Sequence, residues 1–187
     1  MSVKISGVII TFNEEDFIER CLESMKDVVD EIIVIDSYST DKTKEICEKH
    51  KVIFIERKFI GFGEQKNYAV QQATYDYVLC LDADETLSDE LKTSILKVKN
   101  NWTDDAYLLK FRHFYCGKWL KYGSDNRKIR LFDRRKAKWT NNIVHETVEL
   151  DQNETVPALN GYILHILYLS YFKHASKIDY YLKSARS

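Results

Sequence analysis

Proline is almost missing from this chain: Pro157 is the one proline in 187 residues. That excludes Pro-rich linkers and stalks, and no internal repeat or low-complexity segment is visible. Glycine is scarce too, with six in all. No GxGxxG follows the first apolar run, which speaks against a nicotinamide dehydrogenase. The residues there, Thr11-Phe12-Asn13-Glu14, are acidic where a nucleotidyltransferase would want a Gly-rich basic loop. The four cysteines, Cys21, Cys47, Cys80 and Cys116, are isolated, with no CxxC pair and no metal-ligand spacing. Reduced thiols in a cytoplasmic protein are the expectation. No run approaches the roughly 18 apolar residues of a spanning helix. The start, Met1-Ser2-Val3-Lys4, leads into a strand-like run rather than a signal peptide.

An excess of one charge is also lacking, since 28 Lys+Arg face 29 Asp+Glu for a net of −1. That balance hides a separation along the chain. Residues 1–106 carry 13 basic and 22 acidic side chains, and residues 107–139 carry 11 and 2. A generally basic nucleic-acid binder is therefore not expected. The concentrated positive segment points instead to an anionic partner at one place. At roughly 150 residues per domain the length predicts a single domain over 1–187.

What is present over the first hundred residues is an alternation. Short apolar runs at Lys4–Thr11, Glu31–Asp36, Val52–Glu56 and Tyr77–Leu81, the first two with β-branched centres, are separated by stretches of helical spacing. Helices are expected after Asn13, over Lys42–His50, Glu64–Ala73 and Asp89–Asn100. Asn13 is read as a cap for the first helix, with Glu14, Glu15 and Asp16 in its first turn. Ser88 is read as the cap of the fourth. Continuous apolar strands between helices predict an α/β fold, a mostly parallel sheet covered on both faces. Beyond Trp102 short extended pieces are expected at Tyr107–Phe114, Trp119–Tyr122, Ile129–Asp133, Trp139–Leu150 and Gly161–Leu169, with an amphipathic helix over Tyr171–Ser187. Such a helix suits a membrane surface or packing on its own domain.

In open parallel sheets ligands bind at the carboxyl ends of the strands. Three chemically loaded segments fall there: Thr11-Phe12-Asn13-Glu14, Asp36, and Asp82-Ala83-Asp84. Two carboxylates at i and i+2 on a turn suit a hard divalent cation such as Mg²⁺ or Mn²⁺ and the phosphate oxygens it neutralises. The basic segment, with Trp119, Arg127 and Arg130, is open on its residues to three readings: a solvated charged face, a nucleic-acid contact that no stacking module supports, and a cleft for an anionic saccharide, with rings facing sugars and guanidinium forks facing phosphate or carboxylate.

These residues resemble the family 2 glycosyltransferases, which have the GT-A fold. The resemblance rests on Val8-Ile9-Ile10-Thr11-Phe12-Asn13-Glu14-Glu15, Val34-Ile35-Asp36-Ser37-Tyr38-Ser39-Thr40-Asp41 and Leu81-Asp82-Ala83-Asp84-Glu85. A narrower likeness to lipopolysaccharide-core β-glucosyltransferases rests on Gly61-Phe62-Gly63-Glu64-Gln65-Lys66-Asn67, Arg130-Leu131-Phe132-Asp133-Arg134-Arg135 and Ile143-Val144-His145-Glu146. The resemblance implies a Rossmann-like nucleotide-sugar half over 1–106, an acceptor half over 107–170 and a C-terminal helix over 171–187, with the chain stopping short of a final helical part. It implies an inverting transfer of a sugar, glucose for this branch, from a UDP-sugar to a lipopolysaccharide-core or related anionic saccharide or glycolipid. Thr11, Phe12, Asn13, Glu14, Asp36, Lys66 and Asp82 would bind the nucleotide-sugar, Asp36 at the uracil edge. Asp84 would hold a divalent metal, with His165 as a second ligand. Glu146 would be the general base, with His145 orienting or replacing it. Trp119, Arg127 and Arg130 would meet the acceptor. The place implied is the cytoplasm, or the cytoplasmic face of the inner membrane as a peripheral protein. Two other classes are open on the residues alone. Asp82-x-Asp84-x-Thr86 fits the DxDxT of haloacid-dehalogenase-type phosphatases, although no Asp pair stands after a later apolar strand. A non-catalytic saccharide-binding module would bind without UDP or metal.

Overall fold

The computed structural model describes residues 2–115, 118–120, 126–140, 146–150 and 155–168. The first half alternates as its sequence pattern requires. β1 (Ile5–Thr11), α1 (Ile18–Met25), β2 (Glu31–Asp36), α2 (Thr43–Lys49), β3 (Ile53–Glu56), α3 (Phe62–Gln71) and β4 (Tyr77–Asp82) follow in order. A three-residue strand, β5 (Glu85–Leu87), comes directly after the Asp82–Asp84 turn, and α4 spans Asp89–Asn100. Next come β6 (Ala106–Tyr115), β7 (Lys118–Trp119), β8 (Arg127–Asp133), β9 (Ala137–Trp139), β10 (Val148–Leu150) and β11 (Ala158–Tyr168).

Nine of these strands form one sheet in the order β3-β2-β1-β4-β8-β6-β11-β5, with β7 on β6. β1 to β4 pair in parallel. β8 runs against both β4 and β6, so β6 points the same way as β4, and β11 is parallel to β6. Six strands therefore bring their carboxyl ends to one edge. The strands are buried on both faces because both sides of each apolar run are used. In β4, Leu79 and Leu81 enter one core with α1 and α4, while Val78 and Cys80 enter the other with α3 and Trp139. That is the period-2 consequence of a continuous hydrophobic strand.

The N-terminus of α4 is capped as expected, Ser88 Oγ accepting from Leu91 N–H at 3.2 Å. The reading of Asn13 is corrected. α1 starts five residues later, and Asn13 sits at φ 52° with its side-chain oxygen accepting from Thr40 N–H at 2.8 Å. Asn tolerates this left-handed backbone better than most residues. Glu14, Glu15 and Asp16 precede the helix, and Glu19 is the acid in its first turn. β5 was missed, since three residues carry no periodicity. The piece expected over Trp139–Leu150 is two strands, β9 and β10, paired antiparallel as a separate two-stranded sheet. The helix expected over 171–187 lies outside the described residues, as does Cys116. Among the described residues the cysteines Cys21, Cys47 and Cys80 are free and buried, and no helix is long and apolar enough to cross a membrane.

Gly161 on β11 is required for two reasons. Its φ is +92°, and a Cβ would lie 2.3 Å from the backbone nitrogen of Leu91 in α4. Gly161→Ala should cost about 3 kcal/mol, from backbone strain together with overpacking against a backbone that cannot yield. Urea denaturation monitored by circular dichroism measures the loss; an unchanged midpoint would mean that α4 and β11 are not packed this closely.

Candidate active site

The ends of β1 and β2 are laced together by their following turns. Asn13 N–H donates to Ser39 Oγ at 2.8 Å, and Glu14 N–H to Thr43 Oγ1 at 2.9 Å. Thr11 is 5 % exposed, and its buried hydroxyl has no hydrogen-bond partner among the described residues. Phe12 is half-buried beside it. Asp36 is buried at the tip of β2 and accepts from Ser39 N–H at 2.7 Å and from the Ser39 hydroxyl. Burial pushes its carboxyl above the usual range, while the Ser39 bonds pull the other way. Around it lie two residues that sequence reasoning gave no role. The buried Gln65 amide donates to Ser37 Oγ at 3.2 Å and accepts from Arg57 Nη1 at 2.9 Å.

At the end of β4 stands a buried cluster of charge. Lys66 of α3 is 3 % exposed. Its Nζ donates to Glu146 Oε1 at 2.7 Å, lies 3.0 Å from Asp82 Oδ1, and sits 4.7 Å from the centre of the Trp139 ring. The nucleotide-side lysine, the first Asp of the DxD and the expected base thus meet at one ammonium group. The hairpin of β9 and β10 brings Glu146 there. It is docked on α3 by Asn67, whose side chain donates to Trp139 C=O at 2.9 Å and accepts from Trp139 N–H at 3.0 Å. Asn67 was quoted in the Gly61–Asn67 motif but had no assigned role.

Arg130 departs from its expectation. It was placed at an acceptor surface, and it is 3 % exposed. Its Nη2 donates to Asp82 Oδ2 at 3.3 Å and to Glu85 Oε1 at 3.1 Å, and its guanidinium lies over the rings of Phe111 and Trp139. The reason is a β-bulge. The β6–β8 register steps from Tyr107↔Leu131 to Leu108↔Ile129, leaving Arg130 as the extra residue. Such a bulge re-aims a side chain. Burial alone would raise the Asp82 carboxyl, but the charges of Lys66 and Arg130 override it and hold Asp82 well below the usual carboxylate range. Burial pushes Glu85 up, against the opposing pull of Arg130.

Asp84 and His165 do come together. His165 Nε2 is 3.4 Å from Asp84 Oδ2, and Ile166 N–H donates to the Asp84 carbonyl at 3.2 Å. Burial lowers the His165 imidazole, yet the hydrogen bond and charge of Asp84, helped by Glu85 and Asp82, raise it overall. His113 of β6 is the register partner of His165, with ring centres 5.2 Å apart. Sequence reading missed His113, because nothing local marks it. Among the described residues no group of three or more His, Cys, Asp or Glu side chains is arranged to hold a metal ion. A carboxylate oxygen and an imidazole nitrogen are nonetheless donors that Mn²⁺ accepts, and cations of this class commonly take the rest of their shell from water and substrate phosphates.

Near the carboxyl end of β6, Trp119 is 39 % exposed, its ring edge-on to Phe114 and beneath the Arg112 guanidinium. Arg127 is exposed at the start of β8, opposite Lys110. His145 lies outside the described residues.

Comparison with known proteins gives a consistent picture. The description Glycosyl transferase family 2 matches residues 6–149. An uncharacterized glycosyltransferase of Rickettsia typhi is 34 % identical over 190 residues, covering 95 % of this chain and 65 % of the relative. The chain thus spans somewhat less than two thirds of that relative's length. Among solved structures, S. aureus TarS in complex with UDP-GlcNAc aligns over 88 % of this chain and 59 % of its own, with a TM-score of 0.62 and 19 % identity. S. aureus TarS in complex with UDP aligns over 59 % of this chain and 36 % of its own, with a TM-score of 0.50 and 28 % identity.

Proposed function

The chain belongs to glycosyl transferase family 2, and on that premise we propose that it transfers a sugar from a UDP-sugar to an anionic saccharide acceptor with inversion at the anomeric carbon. The observation that carries this reading is the position of Lys66, which joins Asp82 of the donor motif to Glu146 inside one buried cluster. A general base and a nucleotide site must lie side by side for a single displacement. UDP as the nucleotide is supported by the TarS complex with UDP.

The roles follow from position and chemistry. Thr11, Phe12, Asn13 and Glu14 line the end of β1 for the base and ribose. Asp36 accepts from the imide N–H of uracil, a donor that cytosine lacks. Asp84 and His165 would hold a divalent cation, which when bound supplies positive charge to the departing diphosphate. Four carboxylates, Asp82, Asp84, Glu85 and Glu146, outnumber Lys66, Arg130 and His165 there. That surplus suits a cation. Lys66 engages Glu146 at Oε1, which leaves Oε2 to take the proton of the acceptor hydroxyl. As that proton moves to Glu146, the acceptor oxygen bonds to the anomeric carbon and the bond from that carbon to the diphosphate oxygen breaks.

The exposed basic face carries the acceptor. Glucose as the sugar and a lipopolysaccharide-core glycolipid as the acceptor rest on the motif resemblance, and such an acceptor would place the protein at a cytoplasmic membrane face. Trp119 offers a ring to a sugar and Arg127 a guanidinium to an anionic group. Replacing both by Ala should raise the acceptor KM about tenfold or more, the scale of one lost charged hydrogen bond. Donor hydrolysis should stay within about twofold of the parent. Equal losses in both activities would remove Trp119 and Arg127 from the acceptor site.

A further inference from the structure

We propose that Glu85 and Arg130 are positioning residues, a buried carboxylate–guanidinium clamp that sets the Asp82–Asp84 turn before the donor arrives; this rests on the nucleotide-sugar reading of that turn. Glu85 is 1 % exposed and uses both oxygens. Oε2 accepts from the backbone N–H of Asp82 at 2.9 Å, and Oε1 accepts from Arg130 Nη2 at 3.1 Å. The same Nη2 donates to the Asp82 side chain at 3.3 Å. Asp82 is therefore held at its backbone by one member of the pair and at its carboxylate by the other. The grip closes within four residues, because Glu85 begins β5, which pairs with β11 at His165. The two strands flanking the turn, β4 and β5, are thereby tied to each other through side chains as well as through the sheet. Arg130 reaches the turn because it sits on the bulge of β8.

Stability alone is a poor reason for this arrangement. Replacing a buried ion pair by apolar side chains of similar size is often neutral or stabilising. An apolar pair could fill the space beside Phe111 and Trp139, but it could neither accept from Asp82 N–H nor donate to its carboxylate. A pre-set turn avoids ordering cost on binding, and that is the expected benefit of the clamp.

Three chains separate positioning from packing: the parent, Glu85→Gln, and the double variant Glu85→Met/Arg130→Met. Gln keeps an oxygen for the Asp82 N–H. Two readouts are taken, hydrogen exchange at residues 82–84 without ligand and calorimetric affinity for UDP with Mn²⁺. The double variant is expected to fold, to exchange at least tenfold faster at the turn with Val78–Leu81 unchanged, and to bind UDP at least tenfold more weakly. Glu85→Gln turns its amide NH₂ toward the other donor, so it breaks one arm of the clamp and should fall between the parent and the double variant on both readouts. Parental exchange at the turn, or parental UDP affinity, in the folded double variant would overturn the clamp. If the double variant does not fold, Glu85→Leu/Arg130→Met, which likewise leaves neither buried charge unpaired, carries the same test. A parent protein blind to UDP would defeat the nucleotide reading, and the exchange at the turn would still decide whether the clamp exists.

Discussion

Glu146→Gln is expected to reduce sugar transfer by about 10²- to 10⁴-fold, the usual contribution of a general base, while UDP affinity stays within about threefold. The substitution is nearly isosteric. Gln retains an oxygen to accept from Lys66 Nζ, which now donates to Glu146 Oε1 at 2.7 Å, so the β9–β10 hairpin should remain docked. What is lost is the ability to take up a proton. Single-turnover transfer with saturating donor measures the first effect, and calorimetry with UDP and Mn²⁺ the second. Transfer at the parental rate would reject Glu146 as the base and direct attention to His145, its neighbour in the chain. Parallel loss of transfer and UDP affinity would assign Glu146 to the donor site.

Lys66→Met should have a different signature. Lys66 is 3 % exposed and stands between Asp82 and Glu146. Removing it leaves the half-buried carboxylates of Asp82 and Glu146 facing each other, with Arg130 still beside Asp82. Breaking a fully buried ion pair from one side costs about 3–5 kcal/mol. With both carboxylates in partial contact with water the expected loss is roughly 2–3 kcal/mol, still a large part of the roughly 5–15 kcal/mol of domain stability. The Asp82 carboxyl, held low by Lys66 and Arg130, should titrate higher. Both UDP affinity and transfer should fall, unlike the split expected for Glu146→Gln. Urea denaturation and UDP calorimetry on the same preparation measure both. A variant as stable as the parent would show that the three groups do not meet in solution.

How much of this was legible in the sequence depends on where a residue's partner lies. Asp36 and Asp82 could be read because each ends a continuous apolar run, and such runs become parallel strands whose carboxyl ends gather. The α4 cap at Ser88 was legible for a similar local reason. Asn13 misled because an Asn before acids and an apolar periodicity looks like a cap. Its side chain is instead spent on Thr40, 27 residues away. The residues that complete the site were beyond local reading. Glu146 meets Lys66 across 80 residues, Asn67 meets Trp139 across 72, and Arg130 meets Glu85 across 45. Arg130 shows the limit most clearly. In a basic segment its type suggested a surface fork, and only a one-residue shift between β6 and β8 turns it inward. His113 lacks even a motif; it comes beside His165 through strand register alone. The motif resemblance supplied the family and the choice of Glu146, but no local pattern supplied the contact with Lys66.

The central claim is that the edge formed by β1, β2 and β4 receives a uridine nucleotide together with a divalent cation. Thermal denaturation with UDP, other nucleoside diphosphates and UDP-sugars, each with and without Mn²⁺, tests it most directly. Ligand at about 100 times its Kd adds about 2.7 kcal/mol, which for a chain of this length is a rise of roughly 5–10 °C. That rise is expected for UDP and for at least one UDP-sugar, larger with Mn²⁺ than without, with the Mn²⁺-dependent part absent when Asp84 is replaced by Asn. No shift with any nucleotide, with or without the metal, would contradict it.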